Sequence, residues 1–229
     1  MTARLAAASL EALDDAALAR RAAARDADAI RLITRRNNQR LYRAAWSVLK
    51  HRAEAEEAVQ EGYVKAFAAI DGFKGEAALS TWLTRIVLNE ALGRRRSLER
   101  RARLFDRAGV TGIEDYRERL ATGSSAPSPE SAALNRELRG LLERAVSRLP
   151  DAFRSVFVLR EIEDMSVAET AQALDIPEAT VKTRLHRARR HLQDQLDPEL
   201  RSVFGAAVEF AGADCEGLTA KVMARLGLA

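Results

Sequence analysis

The segment SVAETAQALDIPEATVKTRLHRARRHL, from Ser166 to Leu192, decides the fold of the C-terminal half of the chain. Ser166 followed by Glu169 is a capping box, which predicts the start of a short helix. Asp175 to Pro177 predict the end of that helix, because proline cannot continue it. A second helix follows directly after this turn. A short helix, a turn of three or four residues and a second helix form the helix-turn-helix pattern.

The second helix combines an apolar stripe with a run of cations. At 3.6 residues per turn, one face of it contains Val181, Leu185, Ala188, Leu192 and Leu196. The segment Thr180–Leu192 contains no acid, whereas an ordinary solvated helix, the alternative interpretation, mixes both signs of charge. The stripe can dock on a core while the cations face outwards, which predicts a negatively charged partner such as DNA.

Residues on the outward side of this helix are candidates for reading a base sequence. The N-terminal part of such a recognition helix reaches base edges in the major groove, and Arg and Lys suit guanine O6 and N7. Cations at the margins of the groove hold phosphates instead. We assign base contacts to Lys182, Thr183, His186 and Arg187, and phosphate contacts to Arg184, Arg189 and Arg190.

Composition and local charge limit the kinds of partner. The 229 residues are 47% hydrophobic and 31% charged, and the abundance of Ala, Leu, Arg and Glu predicts an all-α fold. Seven arginines and two acids lie between Arg94 and Arg107, whereas Glu54, Glu56, Glu57 and Glu61 form an acidic stretch. These segments indicate one polyanionic partner and one basic partner.

Several classes of protein are excluded by what the sequence lacks. Cys215 is the only cysteine, so no intrachain disulfide or cysteine-rich zinc site is expected. The N-terminus has no apolar signal-peptide core and no stretch is long enough for a membrane span, so we expect a cytoplasmic protein without membrane insertion. The three histidines do not form a metal pair, and no phosphate-binding glycine loop is present. We therefore expect no enzyme activity, no small-molecule substrate, no metal and no cofactor.

The chain divides into two helical blocks. The first spans residues 1–97, and its helix Arg52–Ile70 has an apolar face of Ala55, Val59, Tyr63, Ala66 and Ile70. A second helix is expected to begin at Ser80, as its N-cap, and to continue through Leu92. Residues 98–135 lose periodicity and contain TGSSAPSPES, which predicts a flexible linker. The second block spans residues 136–197, and an extension of unknown role spans residues 198–229.

Two stretches carry a resemblance to a known family. EEAVQEGYVKAFAAIDGFKGEAALSTWLTRIVLNEALGRRR (Glu56–Arg96) resembles region 2 of bacterial RNA polymerase sigma factors of the extracytoplasmic-function (ECF) group. The stretch SRLPDAFRSVFVLREIEDM with the helix-turn-helix after it (Ser147–Leu192) resembles region 4 of the same group. Together they cover most of the chain in the expected order, so the resemblance implies two helical domains that recognise promoters.

The resemblance implies partners for both blocks. In the family, region 2 docks on the clamp helices of the polymerase beta-prime subunit, and the matching residues here are Glu57, Gln60 and Glu61. Region 4 is implied to contact the beta flap and to read the −35 element of promoter DNA. An anti-sigma factor is also implied by the family. This sequence has Glu54 and Glu57 where the family more often has Asp, which keeps the charge but lengthens the side chain.

The resemblance also implies a site for the −10 element. In this group a flipped base of the non-template strand enters a pocket, which needs an aromatic ring for stacking and an amide for hydrogen bonds. Phe73 and Asn89 occupy the matching positions. Phosphate attraction is expected from Lys74, Arg85, Arg94, Arg95 and Arg96, while Trp82 is equally compatible with core packing.

The sequence leaves open two alternatives to a promoter-recognising sigma factor, and it also leaves open where the tail packs. The first is a sigma-like decoy that captures an anti-sigma factor, and the second is a helix-turn-helix regulator of the response-regulator type. The cationic helix disfavours the decoy, and the Glu57–Gln60–Glu61 face disfavours the regulator. For the tail, whose apolar positions are Leu218, Val222 and Leu226, we favour a helix packed on region 4 over a regulatory or polymerase contact.

Overall fold

The structure, a computed structural model, describes residues 12–107, 144–193 and 213–228, and the regular elements within those ranges are helical. The N-terminal unit contains α1 (Asp15–Ala23), α2 (Ala27–Leu49), α3 (Arg52–Ala68), a 3-10 turn (Ile70–Gly72) and α4 (Leu79–Arg107). The C-terminal unit contains α5 (Asp151–Phe157), a π-helical turn (Val158–Ile162), α6 (Val167–Leu174) and α7 (Glu178–Gln193), with residues 144–148 also helical. The last described helix is α8 (Ala213–Arg225).

Helices α2, α3 and α4 pack against one another to form the core of the N-terminal unit. The predicted apolar face of α3 is confirmed, since its four residues from Ala55 to Ala66 are 0% exposed. The helix ends at Ala68, before the predicted end, and the fifth residue, Ile70, is buried in the 3-10 turn. At Gly62 the helices α3 and α4 approach very closely, because a Cβ atom added there would lie 2.5 Å from Cγ2 of Val87. The close packing of this pair therefore requires a residue without a side chain at position 62.

The start and the end of α4 differ from the prediction. The helix begins at Leu79, whose backbone N–H donates to Oδ2 of Asp15 at 2.7 Å, so the assignment of Ser80 as N-cap is wrong. The Ser80 hydroxyl oxygen instead accepts a hydrogen bond from Arg40 at 3.0 Å. The helix also continues past Leu92 to Arg107. The predicted linker thus begins within a helix, and its part from residue 108 onward lies outside the described residues.

The C-terminal unit has the predicted helix-turn-helix. The capping box is present, with the Ser166 hydroxyl accepting from the Glu169 N–H at 3.1 Å and Glu169 accepting from the Ser166 N–H at 2.8 Å. Asp175 ends α6 in the left-handed region, with φ of 54°. Pro150 directly precedes α5. The sequence therefore contains the signals that start and end α6, the first helix of the motif.

A fully buried arginine joins the two units. Arg154 is 0% exposed, and its guanidinium donates to the Leu149 carbonyl at 2.8 Å, to the Asp151 carboxylate at 2.6 Å and to the Ser47 carbonyl on α2. Burial lowers the pKa of Arg154, and the Asp151 carboxylate opposes this by stabilising the charged form. The sequence pattern does not predict the burial of this arginine.

Further polar contacts fix the C-terminal unit against α2 and α4. Arg43 and Glu163 form an ion pair of 2.9 Å, and their side chains are only 10% and 8% exposed. Thr81 donates to Glu169 at 3.1 Å, which connects α4 with the capping box of α6. The two units are thus in direct contact through charged and polar side chains.

Helix α8 packs on α2 and α3 of the N-terminal unit. The expectation that the tail packs on region 4 is wrong. Leu218 and Val222 are buried as their spacing predicts, together with Met223. The contact also includes ion pairs between α8 and the acidic residues of α3, which hydropathy alone does not indicate.

Candidate nucleic-acid and protein interfaces

The cationic helix α7 has the two faces that its sequence predicts. Its apolar stripe is buried, with Val181 and Ala188 0% exposed, Leu192 4% and Leu185 8%. The candidate base-contacting residues lie on the exposed side of the helix, and these are Lys182, Thr183, His186 and Arg187. Of the candidate phosphate contacts, Arg189 and Arg190 are exposed and Arg184 is half-buried. The fold therefore presents a cationic surface on a helix anchored by its opposite face.

Hydrogen bonds and ion pairs distinguish the residues of this surface. Arg189 forms a 2.8 Å ion pair with Glu161 of the π-helical turn, so it is partly neutralised. The Thr183 hydroxyl donates to the Ala179 carbonyl of its own helix at 2.9 Å. Within the described ranges, Lys182, Arg187 and Arg190 form no ion pair. These three cations are consequently the best placed to meet a polyanion.

The candidate −10 residues gather on one face of α4 and the loop before it. The Phe73 ring lies against Trp82, with centroids 5.6 Å apart and planes at 59°. Arg85 and Asn89 are exposed and follow Trp82 at helical spacing, so the three residues share a face about 10 Å long. Lys74 is exposed beside Phe73. The structure thus places an aromatic pair, an amide and two cations on one surface.

Arg94 and Arg95, by contrast, are engaged in ion pairs within the chain. Arg94 lies 3.3 Å from Glu54, 3.5 Å from Glu57 and 3.4 Å from Glu90. Arg95 forms a 2.7 Å ion pair with Asp151 of the C-terminal unit. Phosphate contact by these two arginines stays a prediction, and it requires the present ion pairs to open or be shared.

The predicted acidic face on α3 is present, and α8 covers part of it. Glu57 and Glu61 are partly exposed, whereas Gln60 is only 6% exposed. Arg225 of α8 lies 2.6 Å from Glu57 and 3.5 Å from Glu61. Lys221 of the same helix lies 3.3 Å from Glu56. The basic edge of α8 therefore already occupies part of the face for which the sequence predicts a basic partner.

Two features of these surfaces were not assigned from the sequence. The first is the contact of Trp82, a residue left open between DNA contact and core packing, with the Phe73 ring, which depends on how the loop folds back onto α4. The second is the pair Lys221 and Arg225 on α8. Their spacing of four residues beside Leu218 and Val222 is a detectable signal of an amphipathic helix with a basic edge.

Comparison with known proteins identifies both units. Residues 33–101 match Sigma-70 region 2, and residues 139–192 match Sigma-70 region 4. The ECF RNA polymerase sigma factor SigW of Bacillus subtilis (strain 168) is 35% identical over 172 residues, which cover 75% of this chain and 90% of that protein. The chain belongs to the ECF RNA polymerase sigma factors. The ECF sigma-E factor of Escherichia coli (strain K12) is 34% identical over 148 residues, covering 63% of this chain and 75% of that protein.

Solved sigma factor structures have the same fold. CnrH, solved in complex with the cytosolic domain of CnrY, is 27% identical with a TM-score of 0.54, and the match covers 79% of this chain and 95% of CnrH. The sigma factor RpoE of Bartonella quintana, solved with the anti-sigma factor NepR, is 24% identical with a TM-score of 0.53, covering 72% and 92% of the two chains. The match to region 2 also accounts for the first block, which the response-regulator alternative leaves unexplained.

The ECF sigma factor is a transcription initiation factor, as its family membership shows. Among its described residues, no helix combines the length and the hydropathy needed to cross a bilayer. In the same part of the chain, no group of His, Cys, Asp and Glu side chains is arranged to hold a metal ion.

Proposed function

We propose that this sigma factor joins core RNA polymerase in the cytoplasm and directs it to promoters without a catalytic residue of its own. Helix α7 enters the major groove of the −35 element, and the α4 face around Phe73 and Asn89 holds the unpaired −10 strand. Glu57, Gln60 and Glu61 on α3 bind the beta-prime clamp helices, and the C-terminal unit binds the beta flap. An anti-sigma partner completes the proposal, on the strength of the family resemblance.

The observation that carries the proposal is the division of α7 into a buried apolar stripe and an exposed acid-free cationic face. A helix anchored in this way presents fixed cations to the phosphates and base edges of one groove. The match of the other unit to region 2 supplies the second DNA contact that a promoter requires.

Transcription by purified core polymerase on a promoter library tests the proposal. We expect the full chain to stimulate initiation from a subset of sequences that share −35 and −10 elements. Binding to polymerase without stimulation of any promoter would contradict it and favour the decoy alternative. Binding of duplex DNA alone, with no polymerase association, would favour a conventional helix-turn-helix regulator.

Charge reversal on α3 tests the polymerase contact. Glu57→Lys and Glu61→Lys place a cation against the proposed basic clamp, so we expect each to weaken association with core polymerase by about tenfold or more. Native assembly gels measure the association. Arg31→Glu is the control, since Arg31 is exposed on α2 and pairs only with the neighbouring Asp28 at 2.9 Å. Equal assembly by both glutamate variants and the parent would remove the α3 face from the interface.

A further inference from the structure

Helix α8 lies outside both segments that match the sigma regions, yet it packs on the first of them. It contacts α2 and α3, and it covers the edge of α3 that carries Glu57 and Glu61. This is the same edge that the proposed function assigns to a basic element of the polymerase. The position of α8 therefore bears directly on whether the polymerase can bind.

Helix α8 docks on α2 and α3 through specific apolar and polar contacts, and we call this docking surface the seat of α8. The α8 residues Leu218, Val222 and Met223 are at most 3% exposed. Beneath them, the amide nitrogen of the fully buried Asn38 donates to the Cys215 carbonyl at 2.9 Å and to the Thr219 hydroxyl oxygen at 2.8 Å. A buried amide without acceptors is costly, so Asn38 needs either α8 or another polar occupant on this face.

Tyr63 holds the Asn38 amide in this orientation. The Tyr63 hydroxyl donates to Oδ1 of Asn38 at 3.0 Å, which turns the amide nitrogen towards α8. Burial raises the pKa of the Tyr63 hydroxyl well above its usual range, with a smaller contribution from Cys215, so the hydroxyl remains a donor. The side-chain amide of Asn38 is thus oriented in advance, with its nitrogen as hydrogen-bond donor at the centre of the seat.

The charges at the edge of the seat are complementary. Lys221 and Arg225 are four residues apart and follow one side of α8. Lys221 pairs with Glu56 at 3.3 Å, and Arg225 pairs with Glu57 at 2.6 Å. A basic helix from another protein would satisfy the same carboxylates with the same chemistry.

We propose that α8 is a tethered competitor of core polymerase, which must leave the α3 face before the polymerase binds there. The proposal rests on the function proposed above for Glu57 and Glu61. Residues 194–212 connect α8 to α7, so an undocked α8 stays at a high effective concentration near its seat. The apparent affinity for polymerase is then lowered in proportion to the fraction of chains in which α8 is undocked.

Docking of α8 can be measured without polymerase, because Cys215 is the only thiol in the chain. The double variant Lys221→Glu, Arg225→Glu replaces three attractive ion pairs by repulsions between like charges. Because each exposed pair contributes little by itself, we expect the alkylation of Cys215 to accelerate roughly threefold to thirtyfold. Adding Glu57→Lys and Glu61→Lys to that variant restores opposite charges and should slow alkylation again. An alkylation rate that ignores both changes would overturn the docking of α8.

The matched control carries the same change in net charge at a different place. Arg20→Glu with Arg25→Glu alters two exposed arginines at the end of α1, and it should leave the alkylation rate of Cys215 at the parent value. Acceleration equal to that of the α8 variant would show that net charge, rather than the ion pairs of α8, sets the rate.

Competition is tested by the affinity of the full chain for core polymerase. The double variant on α8 should bind more tightly than the parent by the same factor by which alkylation accelerates. Core polymerase should also accelerate alkylation of Cys215 in the parent chain, measured by mass spectrometry of the peptide that contains it. Equal affinity of variant and parent, with no polymerase effect on alkylation, would overturn the competition.

Failure of the proposed α3 interface is distinguishable from failure of the competition. Glu57→Gln with Glu61→Gln, introduced into the α8 double variant, removes the carboxylates without offering α8 a new cation partner. If this quadruple variant binds polymerase more weakly than the α8 double variant does, the α3 interface is supported whether or not α8 competes. Unchanged binding would remove the α3 interface, and the competition with it, while the alkylation data would still report whether α8 docks.

Discussion

Arg187 and Arg190 lie three residues apart on the exposed side of α7, yet their positions predict different roles. Arg187 is nearer the N-terminal half of the helix, which reaches base edges, and Arg190 lies nearer the margin of the groove. Within the described residues neither forms an ion pair, so the charge of both is available to DNA. The distinction between reading a base and holding a phosphate can be measured.

Alanine substitution separates the two roles. Arg187→Ala should weaken binding to the preferred −35 sequence by about 1–3 kcal/mol and relax the preference at one base position. Arg190→Ala should weaken all sequences equally and reduce the salt dependence by about one phosphate contact. Affinities for a randomised −35 library at two salt concentrations measure both effects. A uniform loss for Arg187→Ala would reassign that residue to phosphate contact.

Single residues were predictable where local pattern determines their environment. The burial of Leu185 and the exposure of Arg187 both follow from helical periodicity. The burial of Arg154 does not, because its acceptors include the Ser47 carbonyl, which lies 107 residues away in the sequence. A charged side chain with such remote partners has no signature in its own neighbourhood.

At the scale of elements, α6 was predictable from its own sequence, whereas the start of α4 and the packing of α8 depend on residues far away in the chain. The capping box of α6 is entirely local and was predictable from two residues. The cap of α4 is the side chain of Asp15, from α1, so no residue near Leu79 indicates it. The seat of α8 lies on α2 and α3. Asn38 and Glu57 contact α8 there, but they lie far from it in the sequence, so only the folded chain shows that they fit it.

The capping box predicts a pH dependence of stability. Hydrogen bonds from the Ser166 backbone and side chain lower the pKa of Glu169 below its ordinary value of 4.5, against the opposing effect of burial. A lowered pKa means that the stabilisation is complete above the ordinary value and is lost as the pH falls through the pKa of the folded state. In Glu169→Gln this part of the acid dependence should disappear.

The free energy of urea unfolding, followed by circular dichroism at several pH values, tests the role of Glu169. At neutral pH the variant should be less stable by about 0.3–1 kcal/mol, because Gln can still accept from the Ser166 N–H but lacks the negative charge at the helix N-terminus. Glu178→Gln, which alters an exposed carboxylate in the first turn of α7, is the matched control. Identical pH profiles for Glu169→Gln and the parent would contradict the assignment.

At the scale of the whole molecule, ion pairs decide how firmly the two units are joined. Arg43 and Glu163 are nearly buried at their contact, and Arg95 with Asp151 forms a second bridge between the units. The sequence predicts two helical units and their order, both of which the family match supports. It does not predict their contact, because each of these ion pairs joins residues far apart in the chain.

Removing one member of the buried pair should loosen the molecule. Arg43→Met removes the cation that Glu163 contacts at 2.9 Å and leaves only Arg40, at 3.6 Å, to compensate its charge. Because that second cation remains, we expect a loss below the roughly 3–5 kcal/mol typical of a buried charge left without a partner. We expect a larger radius of gyration in small-angle scattering and a less cooperative unfolding transition. Arg31→Met, on the exposed side of the same helix, should change neither. A compact, equally stable Arg43→Met variant would show that other contacts hold the units together.

The contact between Gly62 and Val87 sets the distance between helices α3 and α4 where they cross. One helix presents the edge proposed for the polymerase and the other presents the surface proposed for the unpaired DNA strand. Any side chain at position 62 would meet Val87 and force the two helices apart. The distance between these two proposed surfaces therefore depends on the absence of a methyl group at position 62.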